Sequence, residues 1–409
     1  MTDCCSHGTM LNFEDAKAQL LSDITPVLRT ERISLENAYG RILAEQIDSP
    51  ITQPAYPTSA MDGYAFQYDS APDSHQYKRV GTSLAGHPHL ENINPGECIR
   101  IMTGAILPPN TDTVIMQEQT TTKDDLVHFS KLPAQHSNVR LVGAELVQGQ
   151  RVIEKHSRLG APQIALIASL GIPRVRVYKP VSVAFFSTGD ELQKMGRPLE
   201  PGQIYDSNRF AIRAMLASYG FQFHDLGVVK DDKQAIKDTL LHAASISDVI
   251  MTSGGVSVGD ADYVKDLVES LGHLKMWKVA MKPGKPIAFG EVEDAYFFGL
   301  PGNPVSAMVT FYQLALPALM KMQGREFSPK SIQAKATAPF KKRAGRMEFQ
   351  RAKFEIRDGE YTVAPLPSQS SAKLSSMHQA NCFAILEKDT TEITNGGPIV
   401  IQPFEGFVE

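Results

Sequence analysis

The stretch "VIMTSGGVSVGDADYVKDL" (249–267) decides how the middle of the chain is read. An apolar run of strand character ends at Thr252-Ser253, glycines follow, and an amphipathic helix pattern begins beyond two aspartates. Strand, glycine turn and helix form one half of a parallel βαβ unit. Its loop presents unpaired backbone N–H groups and the positive end of a helix dipole. Gly254 and Gly255 let those amides approach a ligand. No Gly-Lys-Ser/Thr follows, so this is not a Walker loop, and no G-x-G-x-x-G fingerprint is present. The acids raise the question, because Asp260 and Asp262 would repel a bare phosphate by about 1–4 kcal/mol per close pair. Either Asp260 caps the helix with Asp262 in its first turn, or both face a metal ion.

The same rhythm extends over 181–327. Apolar runs "VSVAFF", "FHDLGVV", "SDVIMT" and "AYFFGL" alternate with helix patterns beginning near 208, 232, 260 and 303. The alternation predicts a three-layer α/β domain with a mainly parallel sheet. Loops after successive parallel strands emerge on one edge, where ligands bind. Three unusual loops would meet there: "STGDEL" (187–192), "TSGGVSVGDADY" (252–263) and "LPGNPVSA" (300–307). Ahead of the last strand, "WKVAMKPGKPIAFG" (277–290) supplies Lys278, Lys282 and Lys285. Asp190, Glu191, Asp260 and Asp262 beside Lys282 and Lys285 suit a Mg²⁺-bridged polyphosphate: carboxylates hold the cation, and lysines neutralise the remaining phosphate charge. In the last loop, Pro301 and Pro304 bracket Gly302-Asn303; Asn303 can cap the helix and Pro304 fits its first position, leaving Ser306 free to touch an anion.

The flanks differ. Residues 12–24 predict a helix capped by Asn12, with Phe13, Ala16, Leu20 and Leu21 on one face, and Ser34 is read as the cap of a short helix through 35–40. From 51 to 140, short runs such as "CIRIM" and "TVIMQEQ" predict a β-rich insert domain. Segment 141–180 carries the helix "APQIALIASLG", and 1–50 together with 141–180 are expected to form one elongated, discontinuous N-terminal domain. From 328 to 409 the helical period vanishes and a C-terminal β-barrel is expected. The fold class is therefore multi-domain, α/β plus β.

Composition narrows the function. With 409 residues, 42% apolar and a net charge of −4, the chain has no overall pull toward nucleic acid or an anionic membrane. Four cysteines without Cys-x-x-Cys spacing indicate neither a zinc ribbon nor a disulfide framework. Cys4, Cys5 and His7 read as a tail, "HPH" (87–89) as a surface loop, and the six Lys/Arg of 330–346 as a solvated face. Trp277 reads as core. The apolar stretches 161–172 and 305–320 fall short of the about 20 residues of a membrane span, and no apolar leader is visible. A cytoplasmic location is expected.

Seven strings occur in the order that marks one family: "SAMDGYA" (59–65), "RIMTGA" (100–105), "VIMQEQ" (114–119), "FSTGDEL" (186–192), "SGGVSVGDADY" (253–263), "KPGKP" (282–286) and "GLPGNPVSA" (299–307). The chain resembles the molybdopterin molybdotransferases, a group that includes the E domain of gephyrin. The resemblance implies insertion of molybdate into adenylylated molybdopterin, with release of AMP, as the last step of molybdenum cofactor synthesis. It implies a homodimer in which one copy's N-terminal domains complete the other's site, and a molybdopterin adenylyltransferase as upstream partner. It assigns roles to Asp62, Thr103, Glu191, Asp231, Asp262, Lys278, Lys282, Pro301 and Pro304. Alongside these, Ser253, Gly254, Gly255, Ser257, Lys285, Gly302, Asn303 and Ser306 are expected against the substrate. Arg346 or Arg351, with Ser370 or Ser371, are candidates for molybdate. Glu191 and Asp262 are expected on Mg²⁺. Where members often read Gly-Glu-Asp, this chain has Gly143-Ala144-Glu145, so Glu145 is the candidate third metal ligand. Two alternatives are a molybdopterin adenylyltransferase and a non-catalytic dimeric scaffold.

Overall fold

A computed structural model describes residues 10–254, 263–327 and 329–404. The chain divides into two compact units, Arg32–Arg176 and the remainder.

In the larger unit, helix α1 (Phe13–Asp23) is capped by Asn12, whose Oδ1 accepts from the Glu14 N–H at 3.1 Å. Phe13, Ala16 and Leu20 are buried, as the apolar stripe predicts. The α/β region follows with β1 (Ser182–Thr188), α2 (Asn208–Ser218), β2 (Gln222–Val229), α3 (Lys233–Ile246), β3 (Val249–Ser253), α4 (Tyr263–Leu271), β4 (Gly272–Lys278), β5 (Pro286–Val292), β6 (Ala295–Leu300) and the long helix α5 (Pro304–Met322). The sheet order is β2-β1-β3-β6-β5-β4. Its first four strands are parallel, and β5 and β4 extend it antiparallel. This edge pair goes beyond the four strands the alternation predicts, because the polar residues of "GHLKMWK" hide its strand character.

Alternate residues of the central strands serve two cores. Val183, Phe185, Val249, Met251, Phe298 and Leu300 pack on one face, while Ala184, Phe186, Ile250 and Phe297 pack on the other. Burial on both faces is why these strands read as continuous apolar runs. Helix α5 is long and apolar enough to cross a membrane, yet 89% of that window is buried in the core.

The C-terminal region holds β7 (Ile332–Ala336), β8 (Met347–Arg357), β9 (Glu360–Pro365), β10 (Cys382–Leu386) and β11 (Pro398–Pro403). They pair in the order β8-β9-β7-β11-β10, and β8 pairs again with β10, closing a five-stranded barrel. The predicted barrel is present.

The smaller unit is β-rich over the expected insert. A six-stranded sheet runs in the order 113–116, 63–66, 97–101, 76–83, 126–129, 120–123. The predicted helix of "APQIALIASLG" forms over Ala161–Ser169. The expected helix of 35–40 is only a 3₁₀ turn over Leu35–Asn37, and Ser34 Oγ accepts from the Asn37 side chain instead of capping the backbone.

Candidate active site

The chain passes from β1 outward to β2 and then crosses back to β3, so its direction of travel reverses between β1 and β3. That switch opens a crevice at the carboxyl ends of the strands, and a cavity of about 1150 Å³ lies there. Ser187 on β1 stands in register with Ser253 on β3, on the same face of the sheet. Ser253 Oγ accepts a 2.6 Å hydrogen bond from Asn208 Nδ2, which also donates to the Gly302 carbonyl at 2.8 Å. The first residue of α2 thus ties the ends of β3 and β6 together. Gly254 has φ +89°, and a β-carbon there would stand 2.7 Å from the Thr188 carbonyl oxygen, so the turn requires glycine.

The opposite wall is cationic. Met281–Lys282 forms a two-residue strand paired with Met347 and Glu348 of β8. Lys282 Nζ donates to Glu348 Oε1 at 3.1 Å, and Glu348 Oε2 accepts from Gln350 Nε2 at 3.1 Å. Gly284 has φ +105°, and a β-carbon would collide with Thr310 Oγ1. The turn therefore lies flat on α5, with Lys282 and Lys285 lining the cavity beside Arg346. Ser370 and Ser371 complete this wall, joined to the start of α5 by a 3.1 Å bond from the Val305 N–H to the Ser371 carbonyl.

Arg351 sits behind the wall and does not line the cavity. It is only 1% exposed. Its guanidinium donates to Ser376 Oγ at 3.1 Å and to the Ser368 and Ser370 carbonyls at 3.2 and 3.1 Å. Burial pushes this guanidinium down to about 10. Its donors face the loop, which makes it a positioning residue.

Of the other expected residues, Glu191, Pro301, Gly302, Asn303, Pro304 and Ser306 also line the cavity. Lys278 ends β4 opposite Pro286, exposed and outside the wall. Burial raises the Asp231 carboxyl, and the negative charges of Asp190 and Glu191 raise it further. Asp231 is therefore a neighbour of Asp190 and Glu191, but no three His, Cys, Asp or Glu side chains among the described residues form a metal-binding group. Gly255, Ser257, Asp260 and Asp262 lie outside the described residues, as do Cys4, Cys5, His7 and the side chain of Trp277.

Asp62, Thr103 and Glu145 belong to the smaller unit. The Thr103 N–H and Oγ1 both donate to Asp62 Oδ1, at 2.7 and 2.8 Å. These bonds, the backbone one first, hold the Asp62 carboxyl below its ordinary range. Glu145 is exposed in the 141–150 loop.

Sequence reasoning missed Asn208, Ser187 and Glu348. A capping pattern in "DSNRF" could have pointed to Asn208. Nothing local marks Glu348, which meets Lys282 across 66 residues.

Comparison with known proteins places the chain among relatives of the same architecture. Residues 11–171 match the MoeA N-terminal region (domain I and II), 184–321 a probable molybdopterin binding domain, and 333–404 the MoeA C-terminal region (domain IV). The chain is 41% identical over 399 residues to a molybdopterin molybdenumtransferase of Haemophilus influenzae, covering 97% of this chain and 99% of the relative. A protein of the same description from a Nostoc species is 34% identical, over 94% of this chain and 92% of its own length. Crystal structures of a molybdopterin biosynthesis moeA protein from Pyrococcus horikoshii superpose with a TM-score of 0.82, covering 97% of this chain and 100% of that one, at 30% and 26% identity. With relatives this similar along nearly the whole length, the chain belongs to the molybdopterin molybdenumtransferase family.

Proposed function

We propose that this protein inserts molybdate into adenylylated molybdopterin and releases AMP, completing the molybdenum cofactor. The observation that carries the reading is one cavity at the switch point with a hydroxyl-lined floor and a wall of Lys282, Lys285 and Arg346. Those cations suit two anionic substrates, the pyrophosphate of the adenylylated pterin and the tetrahedral molybdate dianion. Lys282 and Lys285 neutralise charge, while Ser306, Ser370 and Ser371 offer hydroxyl donors to oxo groups. The two dithiolene thiols replace an oxo ligand on molybdenum, which leaves as water with their protons, and water cleaves the pyrophosphate P–O bond to give AMP and the pterin phosphate. The protein contributes orientation and charge neutralisation.

A divalent cation, Mg²⁺, fits Glu191, which lines the cavity, together with Asp231 beside it. Burial raises the Asp231 carboxyl, and the negative charges of Asp190 and Glu191 raise it further, which favours a cation beside it. Glu191 and Asp231 would hold the ion together with Asp262. When bound, it supplies positive charge to the pyrophosphate oxygens. In this reading the protein is a homodimer, Asp62, Thr103 and Glu145 act on the cavity of a second copy, and an adenylyltransferase delivers the substrate. The test is incubation of purified protein with adenylylated molybdopterin, molybdate and Mg²⁺. Molybdate-dependent AMP release is expected, and its absence would overturn the reading.

A further inference from the structure

Ser187 is 1% exposed, lines the cavity floor, and its Oγ has no hydrogen-bond partner among the described residues. Its neighbour in register, Ser253, is bonded to Asn208. A buried hydroxyl without a partner is costly, and at a ligand site it marks a bond that the ligand completes. Its position at the carboxyl end of β1, beside the topological switch, is where ligands enter such sheets.

The surroundings say what kind of group completes it. The lysines come from the turn before β5 and Arg346 from the residue before β8, whereas the loop leaving β1 brings Glu191 to the cavity. In the functional reading the pyrophosphate goes to the lysines and to the cation that Glu191 would hold, which leaves a ring of the same substrate for Ser187. Leu192, Ile204 and Tyr205 line the same cavity and offer apolar surface to its faces. A serine hydroxyl both donates and accepts, so it matches a ring edge that carries both functions.

From this geometry we infer that Ser187 Oγ binds the hydrogen-bonding edge of a bicyclic heteroaromatic ring. The inference rests on the functional reading above, because the substrate it names carries two such rings, pterin and adenine. Ser187 is thus a substrate-contacting residue beyond the charged and metal-directed ones.

The experiment compares wild type with Ser187→Ala and Ser187→Thr by calorimetric titration of molybdopterin, AMP and molybdate separately. Loss of one neutral hydrogen bond is expected to weaken one ring ligand about three- to tenfold, to leave molybdate binding unchanged, and to be largely restored by threonine. Weakening of molybdopterin identifies the pterin, and weakening of AMP identifies adenine. The unfolding midpoint of the ligand-free Ser187→Ala protein stays level or rises, since an unpartnered buried hydroxyl has been removed. Equal affinity of both rings for wild type and Ser187→Ala, or a loss confined to molybdate, overturns the assignment, as does a lowered ligand-free midpoint without any change in ring binding. AMP release by wild type is measured in parallel. Ring binding without turnover sinks the functional reading while leaving the Ser187 assignment to its own arms.

Discussion

Lys282 reaches from the turn before β5 to Glu348 of the barrel, Nζ to Oε1 at 3.1 Å, and the carboxylate is 4% exposed while the lysine is 43% exposed. The acid fixes the lysine at the cavity wall, and the lysine neutralises an acid whose other oxygen accepts from Gln350. Lys282→Ala should therefore lower kcat/KM at least tenfold and cost about 1–3 kcal/mol of stability, because a buried carboxylate loses its partner. Adding Glu348→Gln should recover the stability without recovering activity. Denaturant unfolding and AMP release on both variants check the two halves separately.

Arg351→Met should act through the loop. It leaves the Ser368 and Ser370 carbonyls without their guanidinium donor, so the unfolding midpoint should fall and the KM for molybdate should rise together. Reduced activity at an unchanged midpoint would mean instead that Arg351 touches the substrate directly.

Active sites assembled from two copies can be repaired by mixing. Asp62→Asn and Lys282→Ala, each expected to be inactive alone, should regain about a quarter of wild-type AMP release when co-expressed, because half of random dimers are mixed and one of their two sites is intact. No recovery from co-purified mixed dimers would show that Asp62 and Lys282 serve the same copy.

Alkaline titration should expose two buried thiols. Burial raises both Cys98 and Cys382 from about 9 to about 12. Since the folded-state values are the higher ones, both thiols favour folding below pH 9, and this contribution is lost as pH rises from 9 towards 12. Stability measured by denaturant should decline over that window, and Cys98→Ala/Cys382→Ala together should flatten the decline.

Gly284→Ala should destabilise the protein by about 1–3 kcal/mol, since φ +105° and the contact with Thr310 both exclude a β-carbon. The same change displaces Lys282 and Lys285, so AMP release should fall more than the loss of folded protein explains. Circular dichroism on the assayed sample separates the two effects.

Much of this was legible in the sequence for a physical reason. Strands buried on both faces write uninterrupted apolar runs, so "VSVAFF" and "SDVIMT" announced β1 and β3. Gly254 was legible as a turn residue at the end of β3, whereas the need for glycine at 284 emerges only from its φ and its contact with Thr310. What was hidden depends on long-range pairing. Glu348 lies within an alternating barrel strand, and only the short pairing of Met281–Lys282 with β8 brings it to the lysine. Arg351 carries a charge that suggests an anion, but its burial turns that charge onto backbone carbonyls. Asn208 resembles any residue at the start of a helix until its amide is seen spanning β3 and β6.

The two-residue pairing between Met281–Lys282 and β8 gives the barrel a duty unrelated to its own fold. A chain cut after 327 would keep the central sheet and the bonds of this segment to Leu11, yet it would strip Met281–Lys282 of the strand it pairs with. Grafting the lysines alone onto a sheet that lacks the barrel would therefore not reproduce the wall.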